Sequence, residues 1–273
     1  MNYKHIAYKI IIVCVIIQLV SCNKTIKTDA IILENRNVLI DTAKKSNSKD
    51  LAIKKEAKTE KPFYYNISTR FNPKKKSEIL QSITVHNYLS PEESNDVDAI
   101  ESVEIIKIVN NQESNIRVTN NNQYLSKKQI TLLKGLDYSE HYKMNINYKT
   151  KNTGSGNFES NRFTFHHTVV PETQAVFTQG NKVFLDFLKA NNINFPKAID
   201  FKKLRATKFY FIITKNGNVK NLRIDWSSGY KEIDRQLLDL ISKTNGLWNS
   251  AKNSTGQFVE QELVLTFGLP SNC

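Results

Sequence analysis

The sequence predicts an α+β protein whose C-terminal part, residues 172–273, is a three-stranded antiparallel sheet with two helices in the order helix, strand, strand, helix, strand. Ahead of it stand a small mixed α/β domain at 63–171, a flexible tether at 22–62 and a removable leader at 1–21. Three observations carry this reading. The stretch "TKFYFIITKNGNVKNLRIDW" alternates apolar and polar residues on both sides of Asn216-Gly217, the signature of a hairpin. The stretch "SSGYKEIDRQLLDLISKTNG" instead spaces Ile233, Leu237, Leu240 and Ile241 as one face of a helix. And the apolar run "IIIVCVIIQLV" ends abruptly in Ser21 and Cys22.

Taken from the start of the chain, Ile10 to Val20 is apolar apart from Gln18, with Lys4 and Lys9 in front. A helix of this run reaches roughly 17 Å, short of the ~30 Å bilayer core, so it suits a signal peptide better than a span. The four residues "LVSC" resemble the lipobox of bacterial lipoproteins, where the cysteine is acylated and becomes the mature N-terminus. Cys22 is therefore the expected lipidation site; the other reading is a plain signal peptide or short uncleaved anchor in which Cys22 is incidental. Of the three cysteines, Cys14 leaves with the signal and Cys22 carries lipid, so Cys273 has no partner for an intramolecular disulfide. One acyl chain holds a protein only marginally, whereas the several chains of such lipoproteins anchor it stably.

Residues 22–62 are rich in Lys, Ser, Ala and Glu and lack periodicity, as a solvated tether does. In 63–171, "VEIIKIVN" and the alternating "HYKMNINYK" read as strands. Between them Ser126 and Gln129 form a capping box, and Gly135 ends the helix they begin. "NRFTFHHTVV" reads as a further strand with Phe163, Phe165, His167 and Val169 on one face. Adjacent strand residues point to opposite faces, so His166 and His167 cannot share a metal ion, and no metal or other cofactor is expected. In the C-terminal part, Val183, Phe184, Phe187 and Leu188 form a helical stripe that Pro196 prevents from continuing. After the hairpin, Leu222, Ile224 and Trp226 share one face of its second strand. The second helix begins near Ser227 and Ser228 and stops before Asn245-Gly246. The last strand, Phe258 to Phe267, alternates Val259, Gln261, Leu263, Leu265 and Phe267 against Glu260, Glu262, Val264 and Thr266.

Gly180 with its apolar helix, "NFP", "KNGNVKNLRI", "SSGYKEIDRQLLDLI", Trp248 with Ala251 and Gly256, and a last strand ending "LVLTF" resemble in order and spacing the C-terminal domain of the TonB family, over about residues 175–269. Two positions depart from that pattern, Gln179 and Ser250, where the family often has Gly and Pro. The resemblance implies a domain that binds a segment of an outer-membrane transporter, or of another envelope protein, by strand addition. Phe258, Glu260, Glu262, Val264 and Thr266 on the final strand are then the expected partner-binding positions. It also implies an alternative, a true energy transducer, although such a machine resembles a protein with an uncleaved membrane helix and a Pro-rich spacer, and this chain has six scattered prolines.

The expected location is the envelope of a Gram-negative bacterium, lipid-anchored and mainly periplasmic. A net charge of +13 and a pI near 9.5 suit anionic lipid headgroups. The lysines are scattered among asparagines rather than gathered on one element with aromatics, so nucleic acid is not an expected partner. No G-x-S-x-G, H-E-x-x-H or C-x-x-C occurs, and Ser227 and Ser228 sit where a helix cap belongs, so an enzyme is only a distant alternative. Trp226 and Trp248 are read as packing residues rather than a ligand platform.

Overall fold

The computed structural model describes residues 63–191 and 199–270. Cys22, the tether and Pro196 lie outside them. The described chain is mixed α+β and mostly strand, with five α-helices and several sheets. In order, β1 (Tyr64–Ser68), β2 (Asn72–Lys75), α1 (Lys76–Gln81), α2 (Pro91–Asn95), β3 (Ala99–Val109), β4 (Gln112–Asn120), α3 (Lys127–Lys134), β5 (His141–Lys151) and β6 (Phe158–Val170) come first. They are followed by β7 (Val176–Phe177), α4 (Asn181–Asn191), β8 (Thr207–Ile213), β9 (Val219–Ile224), α5 (Lys231–Ser242), β10 (Trp248–Asn249), β11 (Ala251–Lys252), β12 (Phe258–Val259) and β13 (Gln261–Gly268). Among the described residues no helix is long and apolar enough to cross a membrane.

The larger sheet runs β2-β6-β5-β3-β4. Alternation decides its faces: Tyr142, Met144 and Ile146 of β5 join Val103 and Ile105 of β3 and Val169 of β6 under α1 and α3. The capping box of α3 forms as its sequence announces, with the Gln129 amide N donating to Ser126 Oγ at 3.3 Å and the Ser126 amide to Gln129 Oε1 at 2.9 Å. Gln129 then reaches inward, its Nε2 donating to the Val103 carbonyl, so one residue caps the helix and fixes it to the sheet.

The second sheet has four strands, ordered β1-β13-β8-β9, with α4 and α5 on one face. Phe184 and Leu188 of α4 and Ile233, Leu237, Leu240 and Ile241 of α5 pack on Phe209, Phe211, Leu263, Leu265 and Phe267. The helix-strand-strand-helix-strand order is present, but the sheet is not three-stranded: β1, from the other end of the described chain, pairs antiparallel with β13 from Tyr64↔Gly268 to Ser68↔Val264. Its apolar residues explain why, since Tyr65 and Ile67 extend the core face and Tyr65 meets Phe267 at a ring separation of 5.1 Å. The β8–β9 turn needs Gly217 twice over. Its φ is +76°, and a Cβ there would stand 2.3 Å from the Trp248 carbonyl oxygen.

Trp226 departs from its expected place. β9 ends at Ile224, so the face that Leu222 and Ile224 turn to the core does not extend to Trp226, which is 71% exposed beyond the strand. Trp248 is buried, its Nε1 donating to Thr244 Oγ1 at 3.0 Å.

Candidate partner-binding edge

β13 lies inside its sheet, between β8 and β1. The Glu262 amide donates to Ser139 Oγ at 2.8 Å, on the side away from β8. By the alternation of an antiparallel ladder, Val264, Thr266 and Gly268 point their N–H and C=O groups to that same side. These are the groups a partner strand would satisfy, and β1 satisfies them. The edge expected to be free is thus filled from within the chain.

The five expected partner-binding residues fall into three environments. Phe258 is on the short β12, 52% exposed, with the Lys252 ammonium 5.1 Å from its ring. Glu260 pairs with Lys220 at 2.6 Å and Glu262 with Arg223 at 2.7 Å, both across the sheet's second face. Val264 is 2% exposed and Thr266 half-buried, opposite Ser68 and Asn66 of β1. The face expected to meet a partner is therefore covered at its centre. Arg70 covers it: its Nη1 donates to Tyr210 Oη at 2.5 Å and stands 3.8 Å from Asp225, while Arg223 lies 4.8 Å from the Tyr210 ring. Tyr210 is the β8 neighbour of Val264, so the two cations close over the same strip.

His141 lies at the end of this layer, its Nδ1 3.0 Å from Thr168 Oγ1 and its ring edge-on to Phe71. Burial first, and then the Arg70 charge, push its pKa down to about 4, so it stays neutral beside the guanidinium. His166 and His167 leave opposite faces of β6: His166 meets Phe71, whereas His167 lies among Tyr88, Tyr142 and Phe165. No group of three or more His, Cys, Asp or Glu side chains among the described residues is placed to hold a metal ion. Ser227 and Ser228 both serve Asp234 of α5, Ser227 Oγ donating to Oδ2 at 2.6 Å and the Ser228 amide to Oδ1 at 3.0 Å. This fastens the approach to the helix, and Ser228 is fully buried.

The sequence reading missed Arg70, Tyr210, Ser139 and β1 as parts of this edge. The alternation that marks Tyr210 as outward-facing was available; its cover, from residues far away in the chain, was not. Comparison with protein-family models, curated proteins and solved structures finds no match to this chain.

Proposed function

We propose that this is a lipid-anchored lipoprotein of the Gram-negative envelope that captures a segment of a partner protein on the β13 edge of a TonB-like C-terminal domain, in exchange for β1. The observation that carries the proposal is the pairing of β1 with β13 over five residues. An edge that takes a strand from elsewhere in its own chain has the ladder and apolar seat that strand addition requires. Each main-chain bond exchanged contributes about 1 kcal/mol net, and β1 supplies the same kind of bond, so exchange is near balance until partner side chains tip it. An outer-membrane transporter segment is the partner the resemblance suggests. Energy transduction from an inner-membrane motor is the second reading, and it would require a link to such a motor.

Two experiments test this. Cys22→Ala should stop incorporation of labelled fatty acid and release the protein from the membrane; parental labelling would refute the anchor. A photo-crosslinking residue at Thr266 should yield adducts to one envelope protein in cells. Adducts confined to the chain's own β1 would refute capture.

A further inference from the structure

The sheet edges of this fold are unequally protected. At one end of the C-terminal sheet, β9 carries the left-handed Asn221 and a register shift. At one end of the larger sheet, β4 is bulged where its register with β3 shifts between Ile106 and Ile108, with Ser114 Oγ bonded to the Lys107 carbonyl. Such irregularities keep an edge from accepting another strand. At the opposite edge of the larger sheet, β6 runs in regular register from Phe158 to Thr168, with no such irregularity among the described residues. There β2 is only four residues, "NPKK", and it covers β6 from His167 to Val170. Among the described residues no strand lies on that side of Phe158–His166.

The orientation of this open stretch follows from its bonds. The Ser139 amide donates to the Val169 carbonyl at 2.8 Å and the Val169 amide to the Glu140 carbonyl at 2.9 Å, both on the β5 side. Alternation then turns the N–H and C=O groups of Ser160, Arg162, Thr164 and His166 outward. Side chains at the edge divide by chemistry. One face presents Phe163, stacked on Tyr148 at 4.4 Å, and Phe165, 5.9 Å from Phe163. The other presents His166 and Arg162, whose Nε donates to Asn147 Oδ1 at 2.6 Å and which has no carboxylate partner among the described residues; the Glu101 carboxylate, which accepts from Ser160 Oγ at 3.2 Å at the far end, is paired with Lys149 at 3.6 Å. The His166 end opens on a cleft of about 830 Å³ into which Ile67, Arg70 and Gln174 also face, and no Asp or Glu lines it.

We propose that the open edge of β6, from Ser160 to His166, takes up an extended segment of a partner protein that alternates apolar and acidic side chains, continuing the row that β2 begins. Main-chain bonds to the four outward residues hold the segment; its apolar side chains cover Phe163 and Phe165, and its carboxylates face Arg162. No described strand covers this site, so it needs no movement of β1 and stands or falls separately from exchange at β13.

The test is fluorescence anisotropy on the full chain with an end-blocked, labelled peptide of about eight residues alternating valine and glutamate, a length that matches the open edge. Saturable binding is expected, about tenfold weaker when lysine replaces glutamate in the peptide or in the Arg162→Glu protein, as opposed and like charges across a strand pair would differ. Thr164→Pro removes one outward N–H and should weaken binding while the melt stays parental. Methylating alternate peptide nitrogens should abolish binding to the unaltered protein, a control that holds even if Thr164→Pro fails to fold. Equal binding of the valine–glutamate and valine–lysine peptides, indifference to N-methylation, or no saturable binding overturns the proposal. So does a dimer of this chain, lost in Arg162→Glu, that takes up no peptide.

Discussion

Ser139 Oγ accepts the Glu262 amide at 2.8 Å, and by that one bond the turn before β5 of the larger sheet closes the part of the β13 edge that β1 does not reach. Ser139 does so from a left-handed φ of +68°, a conformation that costs a non-glycine residue energy and that the contact repays.

Ser139→Ala keeps the strained backbone and leaves the Glu262 amide without its acceptor, so it should destabilise the chain by about 1 kcal/mol. Ser139→Gly loses the same bond but relieves the strain, and should lie closer to the parent. Urea midpoints of the two variants and the parent check the order; an alanine variant as stable as the glycine one would show that the strain is negligible, and one as stable as the parent that the bond is.

Gly217→Ala should cost more than Gly256→Ala. Both glycines have positive φ, +76° and +79°, but only at Gly217 does a Cβ meet backbone, the Trp248 carbonyl, whereas none lies within 4 Å of it at Gly256. The expectation is about 1 kcal/mol for Gly256→Ala and at least about twice that for Gly217→Ala, read from thermal or urea melts. Equal losses would contradict the close approach of Gly217 to Trp248.

Much of this architecture is written locally. The hairpin at Asn216-Gly217, the Ser126 cap, the stripe of α5 and the alternation of β5 all depend on residues a few positions apart, and each forms where its spacing places it. What is not written locally is pairing. The stretch "YYNIS" is short, and its partner, Val264 to Gly268, lies at the far end of the chain, so no periodicity within it announces the union. The same holds for the cover of the candidate edge: Glu262 is visibly polar in the sequence, but Arg223, Ser139 and Arg70 meet this strip only through the fold. Trp226 differs for a third reason: the period that joins Leu222, Ile224 and Trp226 does not mark where a strand ends, and β9 stops at Ile224.

Acid should weaken the fold through His167. Burial among Tyr88, Tyr142 and Phe165, with Lys74 nearby, pushes its pKa down to about 4, against about 6.5 in an unfolded chain. The unfolded chain therefore takes up a proton that the folded one refuses. Stability is undiminished above about pH 6.5, declines as the pH falls towards 4, and below that the full penalty applies, on the order of 2–3 kcal/mol. His167→Phe, which keeps a ring in the same aromatic setting, should flatten unfolding free energy against pH across that window. His141, also held near pH 4, leaves a residual slope. An unchanged profile in His167→Phe would refute the assignment.

If a partner segment enters in exchange for β1, locking β1 in place must block it. Asn66 and Thr266 stand opposite one another, and as a hydrogen-bonded antiparallel pair their Cα atoms lie about 5.5 Å apart, within disulfide reach. In the full chain with Cys273→Ser, Asn66→Cys with Thr266→Cys should bind β1 to β13 when oxidised and free it when reduced. The measurement is uptake of a labelled synthetic copy of residues 63–70, sequence "FYYNISTR", at equilibrium. Uptake is expected by the reduced protein and by the parent, and none by the oxidised one. Equal uptake in both redox states, or no uptake in either, would contradict it.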